Sequence, residues 1–456
     1  MRACSIHRET LMDPRTQRLL EAPLLPLILK LAAPNVSGFL AQSTVILVEV
    51  WMIGQLGTEP LAAIALVFPL LILLLTVSGG AVGGAISSSV ARYLGAGDAD
   101  SAGRLMWQAI ILCSAVYAGF LLIYALFGSA FLGWMGGAGN ILTLALAYAD
   151  VLMWGGLTLW LTSGLGAIFR GMGLMGFSAG VMVAGYALQV VVSGALILGW
   201  FGVSPIGIAG AAYSTVLVSS LMALAYLDRL TGPSLPSRLT WEYRGYRQEL
   251  MEDILRVARP AAVSPVVTVA TVIGLTALVA RVGDVALAGY GVGARIEFLI
   301  TPIVLSIGAS LTALVGTCVG AGDRDRAIKA AMVGAGLAAV IGAGIGLPLA
   351  LAPMAWIPLF TSDADVAAMT TIYIQLAGPF YAFLGVGLVL YFAAQGAGRM
   401  RWPVIATFVR FSVAVGGAYV WVAWGGGFEA IIMMAAAGIV LYGSIIALSL
   451  KLGAWR

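Results

Sequence analysis

The chain has 456 residues, of which 61% are apolar and only 10% are Asp, Glu, Lys or Arg. Soluble domains carry about 25% charged residues, so this composition excludes a water-soluble protein. Each membrane crossing takes about 20 residues, which allows roughly a dozen spans and leaves no room for a large extramembrane domain. The net charge of +4 does not indicate a nucleic-acid partner, because such a partner needs a basic face on a folded soluble surface.

Cysteine and histidine are too few for a disulfide framework or a metal centre. Cys4, Cys113 and Cys318 are widely spaced and form no Cys-x-x-Cys pair, so we expect neither a disulfide nor a zinc site. The single histidine, His7, lies in the polar N-terminal leader, which leaves any proton chemistry to carboxylates. That leader shows no signal-peptide cleavage site, so we expect the first apolar stretch to remain in the protein.

Apolar runs separated by glycine, proline and charged residues predict twelve membrane-spanning segments. They are predicted to be helices, because lipid offers backbone groups no water to bond and the runs are too long for barrel strands. The predicted spans are 31–53, 60–88, 105–127, 143–168, 176–199, 207–227, 260–280, 286–315, 330–353, 369–394, 403–424 and 429–450.

Lysine and arginine predict the orientation of these spans. Twenty-one of the 24 basic residues fall in the termini and in alternate loops, leaving only Arg281, Arg295 and Arg410 elsewhere. Because basic loops stay on the cytoplasmic side, both termini are predicted to be cytoplasmic in a multi-pass protein of the inner membrane. Anionic membrane lipids are the only partner that this basic excess requires.

Four paired signatures at offsets of 225 or 226 residues reveal an internal repeat. Since that offset holds six spans, both copies enter the membrane from the same side, an arrangement typical of secondary transporters with a site between the halves. We predict a leader at 1–30, an N-lobe at 31–227, a linker at 228–255 and a C-lobe at 256–456. The pairs are Lys30-Leu-Ala-Ala-Pro34 with Arg256-Val-Ala-Arg-Pro260, Gln55-Leu-Gly57 with Arg281-Val-Gly283, Gly95-Ala-Gly-Asp98 with Gly320-Ala-Gly-Asp323, and Phe169-Arg-Gly-Met-Gly173 with Ala394-Gln-Gly-Ala-Gly398.

The two Gly-Ala-Gly-Asp loops are predicted to be tight turns in which Asp98 and Asp323 cap the helices that follow. A nucleotide-phosphate loop would need a preceding strand and a nucleotide-binding domain, and the sequence offers neither. The small-residue run from Ser78 to Ser89 predicts close packing between helices.

Four acidic residues, Glu49, Asp150, Glu297 and Glu429, lie in or at the edge of predicted spans. A carboxylate in lipid costs several kcal/mol unless it faces a cavity or is protonated, which makes buried carboxylates functional candidates. Asp150 and Glu429 lie near non-cytoplasmic helix ends, where solvation at the membrane interface accounts for them. Glu49 and Glu297 remain as candidates.

Glu49 lies on the first predicted helix, and Gln42 precedes it by seven residues on the same face. On the fifth helix Gln189 and Ser193 are four residues apart and also share a face, while Thr215 lies in the sixth. Structural alternatives stay open for this set. Glu49 is about 6 Å from the outer helix end, within reach of headgroups, and polar side chains between helices often bond a neighbouring carbonyl.

Glu297 lies eleven residues inside the eighth predicted span, with Arg295 two residues before it. Side chains two residues apart on a helix point in different directions, so these two do not neutralise each other. Each needs a partner elsewhere. A structural ion pair that uses Arg410 and a role in ion coupling both remain open.

Together these signatures resemble the multidrug and toxic compound extrusion (MATE) family over nearly everything after residue 25. The resemblance rests on a proline near the start of the first and seventh helices, the Gly-Ala-Gly-Asp loops, the Arg-Gly-x-Gly turn and Gly207-Ile-Ala-Gly-Ala-Ala212. It implies an all-α integral membrane fold, with two six-helix lobes that form a V-shaped cavity. It also implies export of organic cations and other xenobiotics, driven by inward H⁺ or Na⁺ movement.

The cation site that the resemblance implies for the N-lobe matches this sequence position by position. The first-helix Asp of the family, in a pattern like Val-Asp-x-x-x-x-Gly, falls on Glu49, and the glutamine seven residues earlier falls on Gln42. The fifth-helix Asn-x-x-x-Asp pattern falls on Gln189 and Ser193, and the sixth-helix threonine falls on Thr215. Only Glu49 keeps a charge. A lone carboxylate suits the binding and release of a proton better than a Na⁺ site, which needs a compact cage of oxygens.

The resemblance predicts a monomeric antiporter, not an enzyme, that exports amphipathic cationic small molecules by alternating access. It needs no cofactor besides the coupling ion. The acidic positions of the NorM-like C-lobe have no acidic counterpart in spans 260–280 and 369–394, so we expect a DinF-like member. The alternative is a flippase for a lipid-linked sugar from the same wider superfamily. It would need a basic cavity, for which Arg295 and Arg410 are the only intramembrane cations. A channel is disfavoured, because the repeat predicts halves that rock around one central site.

Overall fold

The structure, a computed structural model, describes residues 13–233, 235–453 and 455, without the side chains of residues 296–299. Cys4 and His7 therefore lie outside the described residues. Within these ranges the chain consists of helices joined by turns and short loops. This agrees with the all-α fold predicted from the apolar runs.

The described residues divide into two compact units: unit 1 holds those within 13–17 and 33–256, and unit 2 holds those within 18–32 and 257–455. The α-helices before residue 248 are α1 Pro14–Glu21, α2 Leu24–Gly54, α3 Thr58–Leu75, α4 Gly83–Gly95, α5 Ala99–Trp134, α6 Gly139–Gly155, α7 Leu157–Gly171, α8 Met175–Leu198 and α9 Ile208–Thr231. The later α-helices are α10 Gln248–Ala280, α11 Asp284–Gly320, α12 Arg324–Leu351, α13 Ala364–Ala377, α14 Tyr381–Gly396, α15 Arg401–Phe411, α16 Ala418–Ala423 and α17 Phe428–Lys451. Two π-helical segments occupy Thr76–Val82 and Ser412–Gly417.

Among the described residues, eleven helices are long and apolar enough to cross a membrane, and the bent pair α6 and α7 supplies a twelfth crossing. The two helices of that pair meet at 50°. Helix α9 passes close to this bend, since a Cβ on Gly155 would lie 2.6 Å from the side chain of Val216. The predicted number of twelve spans is confirmed, and the fourth span is the bent pair.

The second span is longer than predicted, because α3, a π-helical segment and α4 form one helix of 38 residues from Thr58 to Gly95. Its small residues let α7 approach closely. The hydroxyl oxygens of Ser78 and Ser163 lie 3.3 Å apart, and a Cβ on Gly83 would lie 3.5 Å from that of Ala167. The close packing predicted for this run is confirmed.

The two Gly-Ala-Gly-Asp loops form the predicted caps. The Asp98 carboxylate accepts a hydrogen bond from the Ser101 amide at 2.9 Å, and the Asp323 carboxylate accepts one from the Arg326 amide at 2.9 Å. Gly97 and Gly322 have φ of +81° and +83°, a left-handed conformation in which glycine avoids the strain of a Cβ.

The core of unit 1 is built around Trp160, Phe169 and Tyr226, each at most 1% exposed. The rings of Phe169 and Tyr226 pack with centroids 5.4 Å apart. In unit 2, Tyr381 is fully buried. These aromatic side chains fill the space between helices and hold the helix faces in register.

The segment predicted as a linker between lobes, 228–255, belongs to unit 1 because it packs on the first turns of α5. The Trp107 indole donates a hydrogen bond to the Thr240 carbonyl at 2.9 Å, and the Gln108 amide donates to the Gly245 carbonyl at 2.7 Å. The Tyr243 hydroxyl donates to Asp100 at 2.6 Å. Polar side chains on α5 thus satisfy the backbone of this segment.

An ion pair fixes the end of that segment to α4. Arg92 lies 2.6 Å from Asp253, with side chains 11% and 16% exposed, and it also donates to Ser89 at 2.9 Å. Arg256 reaches the other carboxylate oxygen of Asp253 at 2.7 Å, but its side chain is 63% exposed. The first turns of α10 are thereby fastened to unit 1.

The leader also differs from the predicted boundary at residue 30, since residues 18–32 group with unit 2. Arg326, near the start of α12, donates hydrogen bonds to the carbonyls of Leu19 and Ala22. A cation that bonds these carbonyls satisfies groups that a helix leaves without partners at its C-terminal end. Helix α2 also begins at Leu24 rather than at the predicted residue 31.

Candidate functional site

A cluster of buried polar side chains lies in unit 1, where α2, α8 and α9 meet. Its centre is Glu49, which is 7% exposed. Gln189 is 4% exposed, and Ser193 and Ser214 are fully buried. An ionised carboxylate in such surroundings needs donors or a counter-charge.

Three side chains place a donor atom within hydrogen-bonding distance of Oε1 of Glu49. The donors are Ser193 Oγ at 2.6 Å, Gln189 Nε2 at 2.9 Å and Ser214 Oγ at 3.4 Å. No hydrogen bond to Oε2, and no salt bridge to either oxygen, comes from the described part of the chain. The carboxylate is therefore held by neutral donors on one oxygen, and no counter-charge from the described residues pairs with it.

The helical period explains why these donors converge. Gln189 and Ser193 are four residues apart on α8 and point the same way. Gln189 also donates to Thr215 Oγ1 at 2.9 Å, which joins α9 to the cluster. Thr215 in turn donates to the Ala211 carbonyl at 2.9 Å. Thr215 thus reaches Glu49 only through Gln189.

Ser193 and Ser214 together supply two hydroxyl hydrogens. Their oxygens make more hydrogen-bonding contacts than these two hydrogens can serve at once. Ser193 Oγ lies 2.6 Å from Glu49 Oε1 and 2.6 Å from Ser214 Oγ, and Ser214 Oγ lies 2.8 Å from the Ala211 carbonyl. Each hydroxyl supplies a single hydrogen. With Glu49 ionised, the chain runs from Ser214 to Ser193 to Glu49. A proton on Oε1 lets it run the other way and reach Ala211.

The structure brings Glu49, Gln189, Ser193 and Thr215 together, as the sequence predicts, but it places Gln42 apart. Gln42 is half-buried and its side chain lies beside the hydroxyl of Tyr186 on α8. Tyr186 precedes Ser193 by seven residues, as Gln42 precedes Glu49. The two pairs therefore lie at levels about 10 Å apart along the helices.

Sequence comparison with the family pattern missed Ser214. The pattern selects a threonine in the sixth helix and therefore selects Thr215, whereas its neighbour Ser214 reaches Oε1 directly. Ser214 sits three residues after Ala211 on the buried face of α9. The signal available in the sequence was the adjacent pair of hydroxyl residues. Tyr148 on α6 is also close enough to interact electrostatically with Glu49.

Asp150 and Glu429, the two other acidic candidates with described side chains, lie at the surface. Asp150 is exposed and accepts a hydrogen bond from the Tyr124 hydroxyl at 2.6 Å. Glu429 is exposed in the first turn of α17. Both positions agree with the solvation expected at helix ends.

In unit 2 the secondary candidates do not form a described cluster. The side chain of Glu297 lies outside the described residues. Arg295 is exposed, and the guanidinium carbon of Arg410 lies 5.7 Å from the ring centroid of Tyr442. Within the described ranges, neither arginine forms a salt bridge with a carboxylate.

Metal-binding residues are not grouped in the described ranges, where no cluster of three or more His, Cys, Asp or Glu side chains could hold a metal ion. The Glu49 cluster instead offers one carboxylate, one amide and three hydroxyls. Such a set can exchange a proton at the carboxylate. It can hold Na⁺ only if the neutral oxygens turn toward the ion.

A repeated set of membrane-spanning helices, with a buried carboxylate and its donors inside unit 1, is typical of a membrane transporter. The family model described as MatE matches the chain twice, over residues 34–194 and 260–420. The chain belongs to the MATE family of membrane transporters, whose members are not enzymes. It is thus a multi-pass membrane protein that handles small-molecule substrates.

Relatives with curated names are similar over most of their length. An "FAD transporter" of Shewanella oneidensis is 26% identical, with 81% of this chain and 82% of that protein covered. A "Probable multidrug resistance protein YoeA" of Bacillus subtilis is 25% identical, with 89% and 87% covered. A "Probable multidrug resistance protein NorM" of Thermotoga maritima is 24% identical, with 85% and 83% covered.

Solved structures are similar in fold. One is described as the outward-facing conformation of a multidrug resistance MATE family transporter, with a TM-score of 0.88, 23% identity, and 97% and 98% of the two chains covered. Another is described as MATE in the straight conformation, with a TM-score of 0.89, 22% identity, and 97% and 98% covered. These likenesses establish the twelve-helix MATE fold. The DinF-like assignment stays a prediction.

Proposed function

We propose that this transporter is a proton-coupled antiporter that exports amphipathic organic cations, with Glu49 as the coupling group. The single observation that carries the proposal is the buried carboxylate held on one oxygen by neutral donors from two other helices. A group that binds and loses one proton needs such a site, in which both charge states can be hydrogen bonded.

The coupling works through the helices that the cluster joins. Ionised Glu49 draws Ser193 on α8 and Ser214 on α9 toward α2. A proton that enters from outside cancels the charge and lets the hydroxyl chain turn toward the Ala211 carbonyl. The hold of α8 and α9 on α2 then weakens, which favours the alternate conformation and release of a cationic substrate. This step is supported by the two hydroxyls, whose two hydrogens are fewer than the contacts that they serve.

We infer that the driving ion is H⁺ rather than Na⁺. Sodium is bound by several oxygens at once, and the only charged oxygen donor in the described cluster is Glu49. A proton needs the carboxylate alone. We further infer that the protein is a monomer. We also infer that it lies in the inner membrane with both termini cytoplasmic, in keeping with the basic residues of alternate loops.

Amphipathic cations are the first substrate class that we propose, because two of the relatives above are named as probable multidrug resistance proteins. A second class is a dinucleotide such as FAD, since one relative is named an FAD transporter. A flippase for a lipid-linked sugar is the third candidate. It needs converging cations, whereas Arg295 is exposed and Arg410 lies against Tyr442.

Transport in proteoliposomes tests the proposal. Purified protein is reconstituted with an amphipathic cationic dye or with FAD, and a pH gradient or a Na⁺ gradient is imposed. We expect the dye to move under the pH gradient and not to move without it. Movement of FAD but not of the dye would overturn the substrate class. If neither compound moves under either gradient, the antiporter proposal is wrong and the flippase is favoured.

A further inference from the structure

A cavity of about 450 Å³ lies in unit 2 between α10 and the π-helical segment that precedes α16. Its walls are mostly apolar, and its one charged lining residue is Arg281. Cavities that hold small ligands have volumes of about 300–1,000 Å³. This volume is therefore large enough for part of an amphiphilic molecule.

The internal repeat explains why the cavity is present in unit 2. At the offset of 226 residues, Gly274 and Ala277 correspond to Val48 and Trp51 of unit 1. At offsets of 225 or 226, Gly416 corresponds to Val191 or Val190. The second copy of the repeat thus carries smaller side chains on both helices that form the cavity.

The cavity is closed at the end formed by Gly274 and Val415 and polar at the end formed by Arg281 and Tyr419. A Cβ on Gly274 would lie 2.8 Å from the Val415 side chain, which shows that the two helices nearly touch there. Arg281 follows seven residues later, about 10 Å further along the helix axis. Tyr419, 56% exposed, lies one turn beyond Val415. The cavity therefore runs from an apolar floor toward a rim that carries a cation and a phenol.

Aromatic side chains place that rim at the membrane surface. Trp421 and Trp424, which follow Tyr419 at the end of α16, are 48% and 81% exposed. Exposed tryptophan and tyrosine residues at the ends of membrane helices mark the headgroup level. Helix α10 and the segment before α16 are separated by three spans and run in the same direction, so Arg281 lies at this same surface.

Arg281 has no carboxylate partner within salt-bridge distance in the described part of the chain. Asp284, three residues later, is exposed and does not pair with it. We propose that this cavity binds an anionic phospholipid, with the phosphate at Arg281 and the upper part of one acyl chain against Gly274, Leu278 and Val415. The inference goes beyond the proposed antiport and does not depend on it.

Lipid titration followed by native mass spectrometry tests this site. Delipidated protein in detergent is titrated with phosphatidylglycerol or phosphatidylcholine of identical acyl chains. We expect phosphatidylglycerol to bind more tightly by about fivefold, the contribution of one arginine at a membrane surface. Arg281→Gln should remove this preference. Arg401→Gln, which removes an exposed cation at the start of α15, should keep it.

Filling the cavity gives a second test that leaves the charge in place. Gly416 lines the cavity, and a Cβ there would meet nothing within 4 Å, so Gly416→Leu is chosen to fill it. Ala277→Trp introduces the residue that unit 1 carries at this position. Both variants should lose the tightly bound lipid, whereas Gly336→Leu, at an exposed glycine of α12 with equally open surroundings, should retain it.

Three results would overturn the proposal. Equal affinity of the unmodified protein for the two lipids would exclude recognition of the anionic headgroup. Lipid binding that survives both Gly416→Leu and Ala277→Trp would exclude the cavity as the acyl-chain site. Displacement of the lipid by inorganic phosphate alone would show an anion site without an acyl-chain site. Glu49→Gln should bind lipid as the unmodified protein does, so failure of the antiport proposal leaves this test unaffected.

Discussion

The hydroxyl oxygen of Ser193 lies 2.6 Å from Oε1 of Glu49, across an interval of 144 residues in the chain. This contact joins α8 to α2 through a group whose charge depends on a single proton. Any event that adds or removes that proton changes which of the two oxygens donates. The first two predictions follow from this contact and from its continuation to Ser214.

Glu49→Gln should reduce gradient-driven efflux to the background of empty liposomes. The amide keeps the size of the side chain and can accept from Ser193, but it exchanges no proton in the working pH range. Glu49→Asp should retain part of the activity, because it keeps the carboxylate and withdraws it by one methylene. Efflux of a cationic dye under an imposed pH gradient measures both variants.

The control for these variants is the folded state, followed by size-exclusion profile and thermal unfolding in detergent, which should match the unmodified protein. Normal transport by folded Glu49→Gln would show that the N-lobe mechanism is wrong. Glu297, which the sequence places deep in the eighth span, would then become the leading candidate for coupling.

Ser214→Ala should slow transport about fivefold, since the lost hydrogen bond of about 1 kcal/mol supports the charged form of the cluster. Ser220→Ala is the matched control. Its hydroxyl donates to the Val216 carbonyl at 2.7 Å on the same helix and makes no described contact with Glu49. Equal initial rates for the two variants would remove Ser214 from the mechanism.

The sequence predicts which site residues share a face of one helix, but it does not predict which side chains on different helices meet. Helical periodicity correctly puts Gln189 and Ser193 on one face, because that relation is local. It does not reveal that Gln42 meets Tyr186 rather than Glu49, since that depends on how two distant helices are aligned along their axes. Ser214 is not predicted for a similar reason, because which of two adjacent hydroxyls faces α2 depends on the rotation of α9 about its axis.

In the fold, too, features set by neighbouring residues are predicted from the sequence, whereas features set by distant contacts are not. Charge and hydropathy identify twelve spans, and the Gly-Ala-Gly-Asp loops identify the caps at Asp98 and Asp323. Those signals cannot assign residues 228–255 to unit 1, because the assignment rests on contacts such as that of Trp107 with Thr240. The position of residues 18–32 likewise depends on Arg326, about 300 residues away.

Asp253→Asn should lower the stability of the protein by about 2 kcal/mol, because it removes the carboxylate charge that pairs with the largely buried Arg92. Arg256→Gln is the control, since its partner is the same carboxylate but its side chain is 63% exposed, and exposed pairs contribute little. Thermal unfolding in detergent should show a fall of several degrees for the first variant and almost none for the second. Similar falls for both would contradict the assigned role of burial.

The driving ion gives the last prediction. A pH gradient should drive transport, and replacement of K⁺ by Na⁺ at fixed pH should change the rate little, because Glu49 is the only carboxylate in the described cluster. Ser193→Asp should supply a second carboxylate beside Oε1 and make transport respond to Na⁺, with Ser220→Asp, outside the cluster, as the control. The measurement is initial dye efflux from proteoliposomes under each gradient separately. Strong stimulation of the unmodified protein by a Na⁺ gradient alone would overturn the proton assignment, whereas the antiporter would stand with a different ion.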